Sequence, residues 1–139
     1  MIEDPKEFLG IDLSNLEVEF MEQPLKFEAI ATALASANRK VEENNLILEV
    51  AEAEVATALR ETACTNKEKI TEKALEQKLV LNPKIQKLKY SKIQLREQKE
   101  LISGLLRATE HRRDALKSLA YSIKNELPLT DGLDPDKIA

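Results

Sequence analysis

Between about residues 25 and 62 the chain carries neither proline nor glycine, and its apolar positions fall into a regular pattern. Apolar or small residues recur at Ile30, Leu34, Ala37, Val41, Leu48, Ala51, Val55 and Ala58 in alternating steps of three and four, with Asn44 in the one missing place. Such a step keeps one side of an α-helix turned toward a partner, so the spacing predicts a long helix with a heptad seam. At 1.5 Å per residue that helix spans roughly 57 Å. Leu46, Ile47, Val50 and Leu59 widen its apolar surface beyond a single seam.

A second long helix is expected over about 83–126. Asn82-Pro83 supplies an N-cap followed by proline in the first turn, where its missing N–H does no harm. Leu81, Leu88, Leu95, Ile102, Thr109, Leu116 and Ile123 then recur every seven residues. Their companion row is Ile85, Lys92, Lys99, Leu106, Arg113, Ala120 and Leu127, and a further apolar strip holds Ile93, Leu101, Leu105, Ala108, Ala115 and Leu119. Pro128 is the predicted stop. Between the long helices, Thr65 and Glu68 have capping-box spacing, while Thr71-Glu72 offers another start, for a short helix carrying Leu75, Leu79 and Val80. Upstream, Asp12 or Ser14 can cap a short helix containing Leu16, Phe20 and Met21, with Pro24 in a first turn. Residues 1–12 and 128–139, with their prolines and glycines, are expected to be flexible. The fold class is all-α: a single helical domain over 1–139, built as a long two-helix hairpin with a short connector helix.

One chain cannot cover all of this apolar surface. A hairpin hides one stripe on each helix, and the second helix has two. Uncovered apolar area is unfavourable by about 25 cal/mol per Å², and a contiguous strip drives association. A ring-like homo-oligomer is therefore expected, with Leu95, Ile102, Leu105, Leu106, Arg113, Leu116, Leu119 and Ile123 at the interface. The other arrangement is a chain folded back on itself as a three- or four-helix bundle, with residues 14–22 and 71–80 as lids.

Composition agrees with long helices. Charged residues make up 33% of the 139 residues and aromatics 4%, so burial must come from aliphatic seams rather than rings. No run of 18 apolar residues is present, so no membrane span is expected. The acidic beginning of the chain is not a signal peptide, and the single cysteine, Cys64, suits a reducing cytoplasm. Charge is divided unevenly: residues 1–66 hold 5 basic and 14 acidic side chains, whereas 67–127 hold 15 basic and 8 acidic.

Catalytic chemistry is not in evidence. The only histidine, His111, lies in Glu110-His111-Arg112-Arg113-Asp114 and reads as a surface or interface side chain. One histidine and one cysteine are too few for a metal site. The three glycines stand too far apart for a phosphate-binding loop. No enzyme activity and no cofactor are expected. Basic residues are the informative feature. Lys67, Lys69, Lys73 and Lys78 crowd the connector, Lys84 opens the second helix, and Arg60 nearly closes the first. Repeated around a ring, such a cluster makes a multivalent cationic surface that binds phosphate backbones by counterion release. Glu-Lys neighbours that merely stabilise exposed helices are the plainer reading. Arg112-Arg113-Asp114 is read as an ion-pair cluster between subunits, with a second phosphate contact as the other possibility.

These features together resemble the UvsY-type recombination mediators of tailed bacteriophages. The resemblance rests on length, a first helix ending at Leu59-Arg60, then Thr71-Glu72, Leu75 and Leu79. Asn82-Pro83 follows, with a long second helix that includes the stretch from Arg112 to Ala120. It covers roughly residues 13–125. It implies a homo-oligomeric ring of six or seven subunits in the infected host cytoplasm and binding of single-stranded DNA. It also implies loading of a RecA-like recombinase onto strands covered by single-strand-binding protein. In the family's best-known member a Leu-Lys-Ala-Arg stretch closing the first helix is associated with DNA binding. The matching residues here are Thr57, Ala58, Leu59 and Arg60, and only the arginine agrees. The competing expectation is a coiled-coil structural or assembly protein, a phage scaffold or chaperone, that does not touch nucleic acid.

Overall fold

The computed structural model describes residues 4–131, with side chains to Asn125. Expectations for residues 1–3 and 132–139, and for the Leu127 side chain, lie outside the described residues. The elements are α1 (Pro5–Leu9), a 3-10 turn (Leu13–Asn15), α2 (Leu16–Thr65), α3 (Glu72–Leu81) and α4 (Pro83–Asp131). No strand occurs among the described residues, and no helix there is long and apolar enough to cross a membrane. The chain divides into two compact units, one of residues 1–33 with 102–139 and the other of residues 34–101. We call them unit 1 and unit 2.

Both long helices exceed their expected bounds. α2 begins at Leu16, before Pro24, which the spacing had placed in a first turn. A proline inside a helix deprives the carbonyl four residues back of its donor, at a cost of about 3 kcal/mol. Tertiary packing has to offset that loss, and Glu19 and Gln23, one on either side of the affected carbonyl of Phe20, are both buried. α4 runs to Asp131, past Pro128.

In unit 1, α2 and α4 lie antiparallel. Ile30, Ile102, Thr109 and Leu116 are buried there, and the Gln23 side-chain amide donates to the Thr109 carbonyl at 2.9 Å. Asp4 caps α1 by accepting from the Lys6 backbone N–H at 3.0 Å. Lys26 Nζ holds α1 against α2, donating to the Phe8 carbonyl at 2.6 Å and lying 5.0 Å from the Phe8 ring centroid. Asp12 accepts from both the hydroxyl and the backbone N–H of Ser14, and those bonds lower its carboxyl below the ordinary carboxylate range.

Unit 2 is a helical hairpin closed by α3. Its core joins Leu48 and Ala51 of α2 to Ile85 of α4, with Val55 and Leu88 packed against them. Asn44, the polar member of the seam, is buried and donates to the Leu88 carbonyl at 3.3 Å. A buried amide in an otherwise apolar seam favours one register, since any slip leaves it unpaired. Asn82 starts α4 as the sequence predicts: its Oδ1 accepts from the N–H groups of Lys84 at 2.9 Å and Ile85 at 3.2 Å.

The turn after α2 follows a Schellman pattern. The Glu68 N–H donates to the Ala63 carbonyl at 2.8 Å and the Lys67 N–H to Cys64 at 3.1 Å. Lys67 occupies the left-handed position, with φ of 56°. Its Cβ makes that conformation unfavourable by about 1–2 kcal/mol, part of which glycine gives back through its freer unfolded chain. Lys67→Gly is therefore expected to stabilise the protein by roughly 0.5–1 kcal/mol. The readout is a urea midpoint that moves up; a midpoint that falls would contradict the turn geometry. Thr65 does not form the capping box. Its hydroxyl donates back to the Glu61 carbonyl at 2.9 Å, and Thr71 caps α3 by accepting from the Ala74 N–H at 3.1 Å.

Candidate functional site

All six cations singled out in the sequence belong to unit 2 and all are exposed. The Schellman turn and the Thr71 cap position most of them. Residues 66–71 reverse the chain, and α3 then carries Lys73 and Lys78. Lys69 and Lys78 line one cleft of about 340 Å³ with Leu59, Thr62, Asn66 and Thr71. Lys73 lies along a second cleft, beside Glu76, Val80 and Leu81.

The six are not equivalent electrostatically. Arg60 donates to Glu72 at 3.4 Å, and Lys84 lies 4.0 Å from Glu54. Exposed pairs of this kind contribute little to stability, but they commit two cations to neighbouring carboxylates. Lys67, Lys69, Lys73 and Lys78 make no ion pair within 4.0 Å among the described residues. The turn and α3 thus present four free ammonium groups, with Glu68 and Glu76 between them. Such an array can bind a phosphate chain as point charges; it lacks the planar forks and ring faces that read bases.

The arginine cluster near the end of α4 does something other than expected. Arg112 is buried at 4% exposure, and its guanidinium donates to the Glu19 carboxylate, to Gln23 Oε1 and, at 3.4 Å, to the Gly10 carbonyl. This is an ion pair within one chain, not between subunits. Arg113, assigned by the heptad count to the seam and the interface, is half-exposed and pairs with the adjacent Asp114 at 3.4 Å. Of the other proposed interface positions, Ile102 and Leu116 are buried in unit 1. Their own chain already covers them, which removes them from any surface a second copy could reach. Leu95, Leu105, Leu106 and Leu119 are partly buried and Ile123 is exposed.

Unit 1 also holds an apolar pocket. Phe20, Pro24, Phe27 and Leu116 surround a pocket of about 390 Å³ in unit 1, with Gln23, Arg113 and Lys117 also lining it. Phe20 and Phe27 sit seven apart on α2, a spacing that marks one helix face and could have been read. Cys64 and His111 are exposed. No family model, curated protein or solved structure matches the chain.

Proposed function

We propose that this protein binds single-stranded DNA through the turn after α2 and through α3, as a non-enzymatic recombination mediator. In that role it helps load a RecA-like phage recombinase onto strands covered by single-strand-binding protein. The observation that carries the DNA part is the set of four free lysines, Lys67, Lys69, Lys73 and Lys78, gathered within twelve residues of chain at one turn and one short helix. A solvated helix face built only for stability would pair its lysines with carboxylates three or four residues away. Here none of the four has such a partner among the described residues, whereas Arg60 and Lys84 pair with carboxylates on other elements, Glu72 and Glu54. The mediator role, the ring of six or seven subunits and the infected-cell setting come from the resemblance to UvsY-type proteins. Self-association has support of its own: Leu46, Ile47, Val50, Tyr90, Ile93 and Leu101 all stand open to solvent.

Fluorescence anisotropy with a labelled oligonucleotide tests the binding. Single strands of different sequence are expected to bind alike, because phosphates rather than base edges are contacted, and affinity is expected to fall steeply with salt. Absence of binding at low salt would leave the coiled-coil assembly reading, which needs the exposed apolar rows but not the lysines.

A further inference from the structure

We propose that copies of this chain join head to tail, the outward face of α2 in unit 2 of one copy docking on the outward face of α4 in unit 2 of the next. The inference deepens the self-association proposed above and rests on it; it is independent of DNA binding.

Two apolar rows in unit 2 point away from the core. On α2, Leu46, Ile47 and Val50 are 61%, 54% and 49% exposed, while Leu48 and Ala51 of the same turns are buried. On α4, Tyr90 and Ile93 are 69% and 61% exposed, while Ile85 is fully buried and Leu88 packs on the core. Leu46, Ile47 and Val50 adjoin one another on one side of α2, and Tyr90 and Ile93 adjoin on one side of α4. Adjoining exposed apolar side chains rimmed by polar ones mark interaction sites.

The charges beside the two rows have opposite sign. Glu42, Glu43, Glu49 and Glu54 flank the α2 row. Glu43 pairs with Arg39 at 3.1 Å and Glu54 with Lys84 at 4.0 Å, whereas Glu42 and Glu49 have no ion pair among the described residues. Lys87, Lys89 and Arg96 flank the α4 row, all exposed and without an ion pair among the described residues. Glu97, four residues after Ile93 and seven after Tyr90, stands on the same side of α4 as the row, with Glu100 beside it, so the cationic docking face is the stretch from Lys87 to Arg96 and ends there.

This pattern selects among possible interfaces. Matching the α2 face with itself sets carboxylate against carboxylate, and matching the α4 face with itself sets cation against cation. Like charges held at an interface disfavour it, whereas α2 against α4 joins apolar row to apolar row with complementary flanks. An interface between two different faces is heterologous: each copy keeps one free face of each kind, and the series closes only as a ring or continues as a filament. The cations used here are not those of the turn and α3, so an assembled protein keeps Lys67, Lys69, Lys73 and Lys78 free.

Two charge-reversed proteins test the pairing by sedimentation, with helicity followed by circular dichroism. The first carries Glu42→Lys and Glu49→Lys, the second Lys89→Glu and Arg96→Glu. All four positions are exposed, so both proteins are expected to keep wild-type helicity. Each alone is expected to sediment as a single chain, because the charges not already ion-paired on its two faces now have the same sign. Mixed in equal amounts they are expected to co-assemble, since each supplies the face the other lacks. Either variant assembling alone like the wild type would overturn the pairing while leaving self-association in place. A mixture that stays as single chains would also overturn it. A wild-type protein that sediments as a single chain at high micromolar concentration would remove self-association and this pairing together.

Discussion

Replacing Arg112 by alanine is expected to destabilise the protein by about 3–5 kcal/mol, the range for removing one partner of a buried ion pair. The reason is less the lost attraction than what remains. Glu19 is 9% exposed, and without the guanidinium its carboxylate is a charge held away from water with no counter-ion. Gln23 loses the donor to its Oε1 at the same time. Arg112 also reaches the Gly10 carbonyl, at 3.4 Å, so its loss frees the segment joining α1 to α2. The pair itself need not be favourable overall, because bringing two charges out of water offsets much of their attraction. Exchanging both partners, Arg112→Met with Glu19→Leu, is therefore expected to recover most of the stability. Urea unfolding of the single and double variants checks this. A single variant within about 0.5 kcal/mol of wild type, the usual scatter for surface substitutions, would mean that Arg112 is solvated in solution.

In unit 2 the largest loss is expected at Ile85, which is fully buried between Leu48 and Ala51 with Leu88 beside it. Ile85→Ala should destabilise by about 2–5 kcal/mol and Ile85→Val by about 0.5–1.5. Leu48 and Ile85 come from helices joined by the turn after α2 and by α3, so a cavity here weakens the hairpin that positions the lysines. Oligonucleotide affinity of Ile85→Val, measured well below its unfolding temperature, should stay at the wild-type value, because no phosphate contact is altered. Two substitutions of equal effect would show that the site relaxes around the gap and is not the packed centre of the unit.

Much of this architecture is legible in the spacing of apolar residues. Of the nine positions that steps of three and four place on the α2 seam, Ile30, Ala37, Val41, Asn44, Leu48 and Ala51 are buried, Leu34 and Val55 are partly buried, and Ala58 at the far end is exposed. Caps are local chemistry, which is why Asn82-Pro83 and Thr71 could be read directly. Where α2 begins was not legible. A proline reads as a boundary, and only packing by residues far away in sequence decides whether a helix continues through it. The arginines near the end of α4 were misplaced for a different reason. Counting in sevens fixes which residues share a row, but not on which side of that row the second buried position falls. Of the row read every seven residues, Ile102, Thr109 and Leu116 are buried, Leu88 and Leu95 are partly buried, and the ends, Leu81 (in α3) and Ile123, are exposed; along α4 its companion changes. In unit 2 the buried companion is Ile85; in unit 1 the inward side belongs to Arg112, and Arg113, although counted from Ile85 in sevens, lies to the side. The basic cluster was visible as composition, yet nothing in the sequence told which cations would be committed to carboxylates. Arg60 and Lys84 acquire partners on other elements, Glu72 and Glu54.

DNA binding at the turn and α3 is tested most directly by the salt dependence of oligonucleotide affinity with and without its free lysines. The variant is Lys69→Gln, Lys73→Gln and Lys78→Gln together, none of them in the core and none ion-paired among the described residues. Each phosphate contact on single strands contributes about 0.7 to the slope of log affinity against log salt, so losing three is predicted to flatten that slope by about 2. Sedimentation and helicity should be unchanged. A variant that binds as tightly as the wild type, with the same slope, would place the DNA contact elsewhere on the protein.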